Sequence, residues 1–256
     1  MTTPFARRAL RPLLSFLALM ATTGPSLALN VQPVVVDLQT AGRRTSAIVT
    51  LQNTFPDTVP VEVTVHPVNV VNGELREAED VESDDVLVFP SQATLGGNQS
   101  QAFRVQWIGQ PLEGESRHFY VTIAQLPVAM PESQNAIQVL HRFKVLVSVG
   151  TNGDMPSLKI VEAKVGTDAA GKPQPVITIA NDGANYGYVA TNRMTLIERR
   201  GDGSEAYRKT FEPEEIRESM GLGLVPSKAS RIFPINVELP DAGGTLSVEL
   251  NSAGSK

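Results

Sequence analysis

The chain has 256 residues, 41% of them hydrophobic and 19% charged, which is enough apolar material for two β domains of ~100 residues each. Cysteine is absent, which excludes a disulfide scaffold, thiolate metal sites and a cysteine nucleophile. A formal charge of −5 and a pI near 5.3 argue against nucleic acid as a partner, and three His with a single Trp leave little for a metal centre or an aromatic cage.

Residues 1–28 read as a cleaved signal peptide. Arg7, Arg8 and Arg11 supply a positive start, Leu13 to Ala21 a short apolar run, and Ser26-Leu27-Ala28 the small residues of a cleavage site before Leu29. The apolar run is well short of the ~20 residues of a spanning helix. Losing those three arginines and no acids takes the charge from −5 to −8, so the expected mature protein is soluble, acidic and exported.

Beyond Leu29 the hydrophobic pattern has a period of two. Val31 to Leu38 reads as one strand, with Pro33 suited to an edge. Ala47 to Asn53 and the cleanly alternating Val59 to Val65 follow, then Val86 to Phe89 and Gln101 to Trp107 around a Leu95-Gly96-Gly97-Asn98 turn. His118 to Ala124 and the long run Ile137 to Val149 complete about seven strands at the spacing of an immunoglobulin-type sandwich. Gly150 to Pro156 has the composition of a linker. A second series follows at Leu158 to Val165, Val176 to Asn181, Tyr188 to Glu198, Ala206 to Phe211, Ala229 to Val237 and Gly244 to Leu250, with a turn or two of helix at Glu212 to Met220. The expected fold is all-β, with domains at 29–150 and 154–256.

No pattern in the chain supports enzymatic chemistry. The acidic run Glu74 to Asp85 lacks the spaced ligands and glycine of a calcium loop, and reads as a solvated segment between strands. Paired carboxylates of this kind could serve a secreted carbohydrate-active enzyme, which is kept as an alternative. His66, His118 and His141 fall on three different expected strands without metal-ligand spacing, and no nucleophile elbow or phosphate loop occurs. The expectation is no catalytic residue, no metal, no cofactor and no small-molecule substrate.

The run Ile137 to Val149 carries the most information. Its odd positions are apolar except His141, while Arg142 and Lys144 share the other face. Long apolar edges template pairing and are normally avoided, so a chain that keeps one has a use for it.

Taken together, Val31-Gln32-Pro33, Phe89-Pro90 before Leu95-Gly96-Gly97, Phe103-Arg104-Val105, Phe119-Tyr120-Val121, Gln125-Leu126-Pro127 and the strand carrying Lys144 resemble the PapD-like periplasmic chaperones of the chaperone–usher pilus pathway, especially the archaic branch. The second half matches more loosely, through Ile179-Ala180-Asn181-Asp182-Gly183 and Leu224-Val225-Pro226. The resemblance implies two immunoglobulin-like domains arranged as an L. It also implies donor-strand complementation of pilus subunits, which are then delivered to an outer-membrane usher. By the same resemblance Lys144 is the cleft cation that anchors the subunit's carboxylate, and Ile137, Val139 and His141 occupy the inserted positions. The family's first-strand Arg is replaced by Val34-Val35-Val36, so the expected anchor is Lys144 alone or with Arg142 or Arg104. The alternative within the same fold is a secreted pilin or adhesion module.

Overall fold

The structure, a computed structural model, describes residues 28–128 and 139–253. Positions 1–27 of the expected signal peptide and the expected inserted residue Ile137 lie outside the described residues.

The first core is a sandwich of two sheets. Strands β1 (Leu29–Gln32), β2 (Val35–Gln39), β3 (Ser46–Asn53), β4 (Val59–Val71), β5 (Glu74–Glu77), β6 (Val86–Phe89), β7 (Gln92–Leu95), β8 (Ser100–Trp107), β9 (Arg117–Gln125) and β10 (Arg142–Gly150) build it. One sheet has the order β1-β3-β8-β6 and the other β2-β10-β9-β4-β5, with β7 also on β4. Alternation assigns the faces. Val65, Val121 and Val145 form one cross-strand row of the second sheet, Pro67, Phe119 and Val147 the next, and both point inward. Val49, Leu51, Phe103, Val105 and Trp107 meet them from the opposing sheet in a single apolar cluster.

Several elements depart from the sequence expectation. Val31 to Leu38 is two strands in different sheets. β1 pairs with β3, the chain crosses at Pro33 and Val34, and β2 then pairs in parallel with β10. Proline has no N–H for a ladder, so the sheet switch falls where pairing is interrupted anyway. β4 runs six residues further than expected. Past Pro67 it leaves β9 and pairs Val68–Val71 with Glu74–Glu77, so the start of the acidic run is a strand rather than a solvated loop. Among the described residues, the last strand of this sandwich begins at Arg142, so Val139 to His141 precede it instead of extending it.

The second core combines β11 (Leu158–Thr167), β12 (Pro173–Asn181), β13 (Gly187–Tyr188), β14 (Asn192–Arg199), β15 (Glu205–Phe211), helix α1 (Pro213–Met220), β16 (Leu224–Val225), β17 (Ser230–Pro234) and β18 (Thr245–Ser252). Sheet orders are β11-β12-β17 and β15-β14-β18, with β13-β16 as a short pair between them. The expected strand Tyr188 to Glu198 is interrupted by a 3-10 turn at Val189–Thr191, where both Val189 and Ala190 are buried. α1 starts with Pro213 at its first position and a reciprocal Glu212–Glu215 capping box, which satisfies N–H groups the helix leaves free. Ile177, Ile179, Met194, Leu196, Phe211 and Ile216 anchor this separate apolar cluster.

The two sandwiches close one corner in the same way. Fully buried Asn53, ending β3, donates from Nδ2 to the carbonyls of Asp57, Leu95 and Gly96 at 2.8, 3.4 and 3.1 Å, while its Oδ1 accepts from Phe55 N–H at 3.0 Å. Asn181, ending β12, donates to the carbonyls of Asn185, Val225 and Pro226 at 2.8, 3.1 and 3.2 Å and accepts from Gly183 N–H at 3.0 Å. In each case one amide satisfies carbonyls from two separate loops. Asn53→Ala and Asn181→Ala are each expected to cost about 1–3 kcal/mol by stranding those groups. Denaturant titration checks this, and a loss no larger than that of an exposed control substitution would contradict the corner role.

Candidate functional site

The outward face of β9 and β10 forms the floor of a cleft that starts where the two sandwiches touch. At the seam, Asp37 Oδ1 accepts from the hydroxyls of Tyr186 and Tyr188 at 2.8 and 2.7 Å. Ser116 and Ser227 exchange backbone-to-hydroxyl bonds of 2.6 and 3.1 Å across the same seam. His118 is buried beneath, its ring nitrogens each 3.0 Å from a hydroxyl, Nε2 from Ser116 and Nδ1 from Ser148. Burial foremost, and the nearby Asp37 carboxylate next, push both tyrosine pKa values up, so the phenols stay protonated as donors.

Moving out from the seam, the floor presents Tyr120 and Leu146 in register, then Thr122 and Lys144, then Ala124 and Arg142. Lys144 Nζ sits 5.7 Å from the centre of the Tyr120 ring and pairs with the carboxylate of Glu77. The Lys144 side chain remains 38% exposed, whereas that of Glu77 is only 8% exposed. Glu77 reaches this position because the outer half of β4 carries β5 beyond the sheet. The hairpin tip then meets the other sandwich, where Ile232 N–H donates to Gly73 O at 2.9 Å. The turn is confined to glycine: φ is +80° at Gly73, and a Cβ would lie 2.6 Å from Ile232 Cγ1. Beneath Lys144, Thr122 is 97% buried and its hydroxyl has no partner among the described residues (it is 3% exposed).

The expected site residues divide accordingly. Lys144 and Arg142 share the cleft face. Arg104 does not join them, because it alternates with buried Phe103 and Val105 on β8 of the other sheet. It therefore faces out on the opposite side of the sandwich, within 3.3 Å of Ser46 Oγ. This corrects its place in the expected anchor. His141 is engaged by its own domain: it stacks on Phe143 at 6.3 Å, tilts against Phe55 at 5.8 Å and holds Gln125 Oε1 at 3.1 Å from Nδ1. Val139, by contrast, is 69% exposed.

The edge of β10 is unevenly used. From Leu146 onward it pairs with β2, the first bond being Leu146 N–H to Val34 O at 3.0 Å. From Arg142 to Val145 it pairs with β9 alone, and no strand among the described residues takes the other side. Exposed Val34 lies where the β2 pairing begins, and it lines a shallow apolar surface with Leu222 of the second sandwich and with Ile48, which faces out beside Arg104 on the opposite sheet. Sequence reasoning missed Glu77, Tyr120 and the seam residues. Their only signal was membership in runs already assigned to loop or strand. Among the described residues no cluster of metal-ligating side chains occurs, and no helix is long and apolar enough to cross a membrane.

No family model matches the sequence, and no curated protein is similar enough to count as a relative. Solved structures are similar in fold. A chain of the CsuC–CsuE chaperone–tip adhesion subunit pre-assembly complex, from the archaic chaperone-usher Csu pili of Acinetobacter baumannii, aligns with a TM-score of 0.52 at 13% identity. The alignment covers 87% of this chain and 97% of that one. The Salmonella enterica SafA pilin–SafB chaperone complex gives 0.51 at 14% identity, over 83% and 86% of the two chains. The class 5 fimbriae chaperone CfaA gives 0.50 at 14% identity, over 87% and 99%. The chain thus has two immunoglobulin-like β-sandwich domains, the fold of fimbrial chaperones.

The seam carries its own pH dependence. Burial, with a smaller contribution from the charge of Arg231, holds the His118 pKa down at about 3 against an ordinary 6.5. Between those values the unfolded chain binds the extra proton, so stability is complete above about pH 6.5 and falls as the pH drops toward 3. Each pH unit in that window costs up to about 1.4 kcal/mol. His118→Gln is expected to flatten the acid limb of a melting-temperature profile, and an unchanged slope would rule out His118 as its cause.

Proposed function

We propose that this protein is a periplasmic chaperone that captures pilus subunits by strand addition and hands them to an outer-membrane usher. Residues 1–28 serve as its cleaved signal, and 29–150 and 154–256 are its two domains. The observation that carries this reading is the half-used edge of β10, open from Arg142 to Val145, preceded by exposed Val139 and carrying Lys144 on its cleft face. An incoming strand finds unpaired backbone groups on this edge and exposed apolar Val34 at its end. The similar folds include chains from complexes described as a chaperone with a tip adhesion subunit and a pilin with a chaperone, which supports a subunit as the partner.

Magnitudes set the role of the anchor. Two to four apolar side chains offer roughly 3–12 kcal/mol at ~1.5–3 each, and each ladder hydrogen bond adds ~1 kcal/mol. Association and ordering cost about 4–15 kcal/mol. The balance is close enough that one charged contact shifts occupancy measurably. In the free chain Glu77 already neutralises Lys144, so a subunit's carboxylate binds there by displacing an internal one.

Co-expression with a candidate subunit and co-purification from periplasm tests the reading directly. Lys144→Ala is expected to reduce capture by roughly 10- to 150-fold, from the ~1.5–3 kcal/mol of a hydrogen bond to a charged group, at unchanged yield. Equal pull-down by that variant would remove Lys144 from the site. The double variant Ile137→Thr with Val139→Thr separates donor edge from core. It is expected to keep the wild-type melting temperature, since Val139 is exposed, while losing capture. A drop of several degrees with capture in proportion to folded protein would overturn the donor-edge reading.

A further inference from the structure

The β4–β5 hairpin reaches from one sandwich to the other, and little holds it there. β4 leaves β9 after Pro67 and turns back at Asn72-Gly73, where φ is +52° and +80°. A two-residue turn of that hand suits Asn-Gly and keeps the hairpin's own ladder in register. None of residues 68–77 belongs to either apolar core cluster. Two polar contacts outside its ladder fasten it instead. At the tip, Ile232 N–H of edge strand β17 donates to Gly73 O at 2.9 Å, and the Ile232 side chain rests on that glycine. Near the base, Glu77 pairs with Lys144 on the cleft face. Leu75 and Glu77 are half-buried, whereas Glu74 and Arg76 are exposed and paired with each other, so one face of β5 is turned toward the cleft.

An outward-facing residue of a sheet stays exposed unless something lies over it. Thr122, directly opposite Lys144, faces outward yet is only 3% exposed, and its hydroxyl has no partner among the described residues. An arrangement that buries a hydroxyl unbonded is penalised against one that lets water or a ligand reach it. Nearer the seam, a groove of about 430 Å³ is lined by Tyr120, by Glu74 and Leu75 of the hairpin, and by Arg231 and Phe233 of β17. A strand laid beside Arg142 to Val145 sends alternate side chains to this same outward face. It meets a face that the hairpin already occupies at Lys144.

We infer that the β4–β5 hairpin is a strap that closes the cleft face in the free chain and swings away, pivoting at Pro67, when the cleft is loaded. Its two fastenings release together, because a lone two-stranded hairpin is marginal in stability and has no apolar core to hold one end without the other. That the strap guards a captured chain rests on the strand-capture reading. The strap itself does not.

Two measurements test the strap and its role separately. In the free chain, hydrogen exchange of the Ile232 amide reports the tip, and Glu77→Gln removes the charge pair near the base. That variant is expected to speed Ile232 exchange severalfold while the amides of Ile177 and Ile179 in the second core keep their rates. An unchanged Ile232 rate overturns the strap, whatever the protein's partner. The second measurement follows association of a strand-forming peptide from a candidate subunit. Glu77→Gln and Gly73→Ala are both expected to raise the association rate. The latter acts from the far end, since a Cβ there would lie 2.6 Å from Ile232 Cγ1, and it leaves the Glu77–Lys144 pair in place. Ile232→Pro, which deletes the same N–H on an edge strand, serves where Gly73→Ala lowers the melting temperature. A gain confined to Glu77→Gln marks a charge effect at Lys144 and overturns the gate. Saturating peptide is also expected to speed Ile232 exchange in wild type, and a loaded chain that keeps Ile232 protected overturns the opening. If Ile232 responds to Glu77→Gln but no variant binds peptide, the strap stands and the strand-capture reading fails.

Discussion

The position at which β2 begins constrains everything else in the cleft. A strand inside a sheet has both edges satisfied, and β10 reaches that condition only from Leu146 onward, where Val34 O and β2 take its second side. The preceding chain is occupied in the opposite sheet as β1, and Pro33, which has no N–H to donate, marks the crossing. A single continuous first strand would have covered a longer stretch of β10 and removed the open edge. The sheet switch therefore leaves Arg142 to Val145 with one side unpaired among the described residues, and places exposed Val34 where that open side ends.

Charge is organised around the same stretch. The outward face of β9 and β10 runs from a neutral, hydrogen-bonded seam at His118 and Ser148 to cations at Lys144 and Arg142. Glu77 is brought over this face by the extension of β4 beyond Pro67, and its hairpin is fastened to the second sandwich through Gly73 and Ile232. Lys144 is therefore kept paired in the free chain while its own side chain stays partly exposed, against a Glu77 side chain that is nearly buried. Arg231 is held differently, over the Phe233 ring and by one carbonyl.

Between the sandwiches, hydroxyl and carboxylate contacts replace an apolar interface. Asp37 holds two phenols, Ser116 and Ser227 bond reciprocally, and Asn185 Nδ2 reaches Thr151 O at 3.2 Å. Each such contact is directional, so the set fixes orientation more than it adds cohesion.

Much of this was legible in the amino-acid sequence, because a half-buried strand writes its faces into alternate residues. Val59 to Val65, Gln101 to Trp107 and the inward set Val145, Val147 and Val149 follow from period alone, as does the pairing of Arg142 with Lys144 on one face. Periodicity does not say which sheet a strand joins. The division of Val31 to Leu38 between two sheets, the interruption of Tyr188 to Glu198 and the start of β10 at Arg142 were decided by pairing partners distant in sequence. The same limit separated the site residues. Lys144 stood out as a cation in an apolar strand, whereas Arg104, which the sequence offered only as its partner, faces away on the other sheet. Glu77 looked like one acid among many, and Arg231 like an ordinary strand residue. Only the tertiary structure decided that a bent hairpin brings the first to Lys144 and that the second sandwich brings the other to Tyr120. Proximity between residues 77 and 144, or 120 and 231, depends on how the chain folds back on itself, which no local pattern encodes.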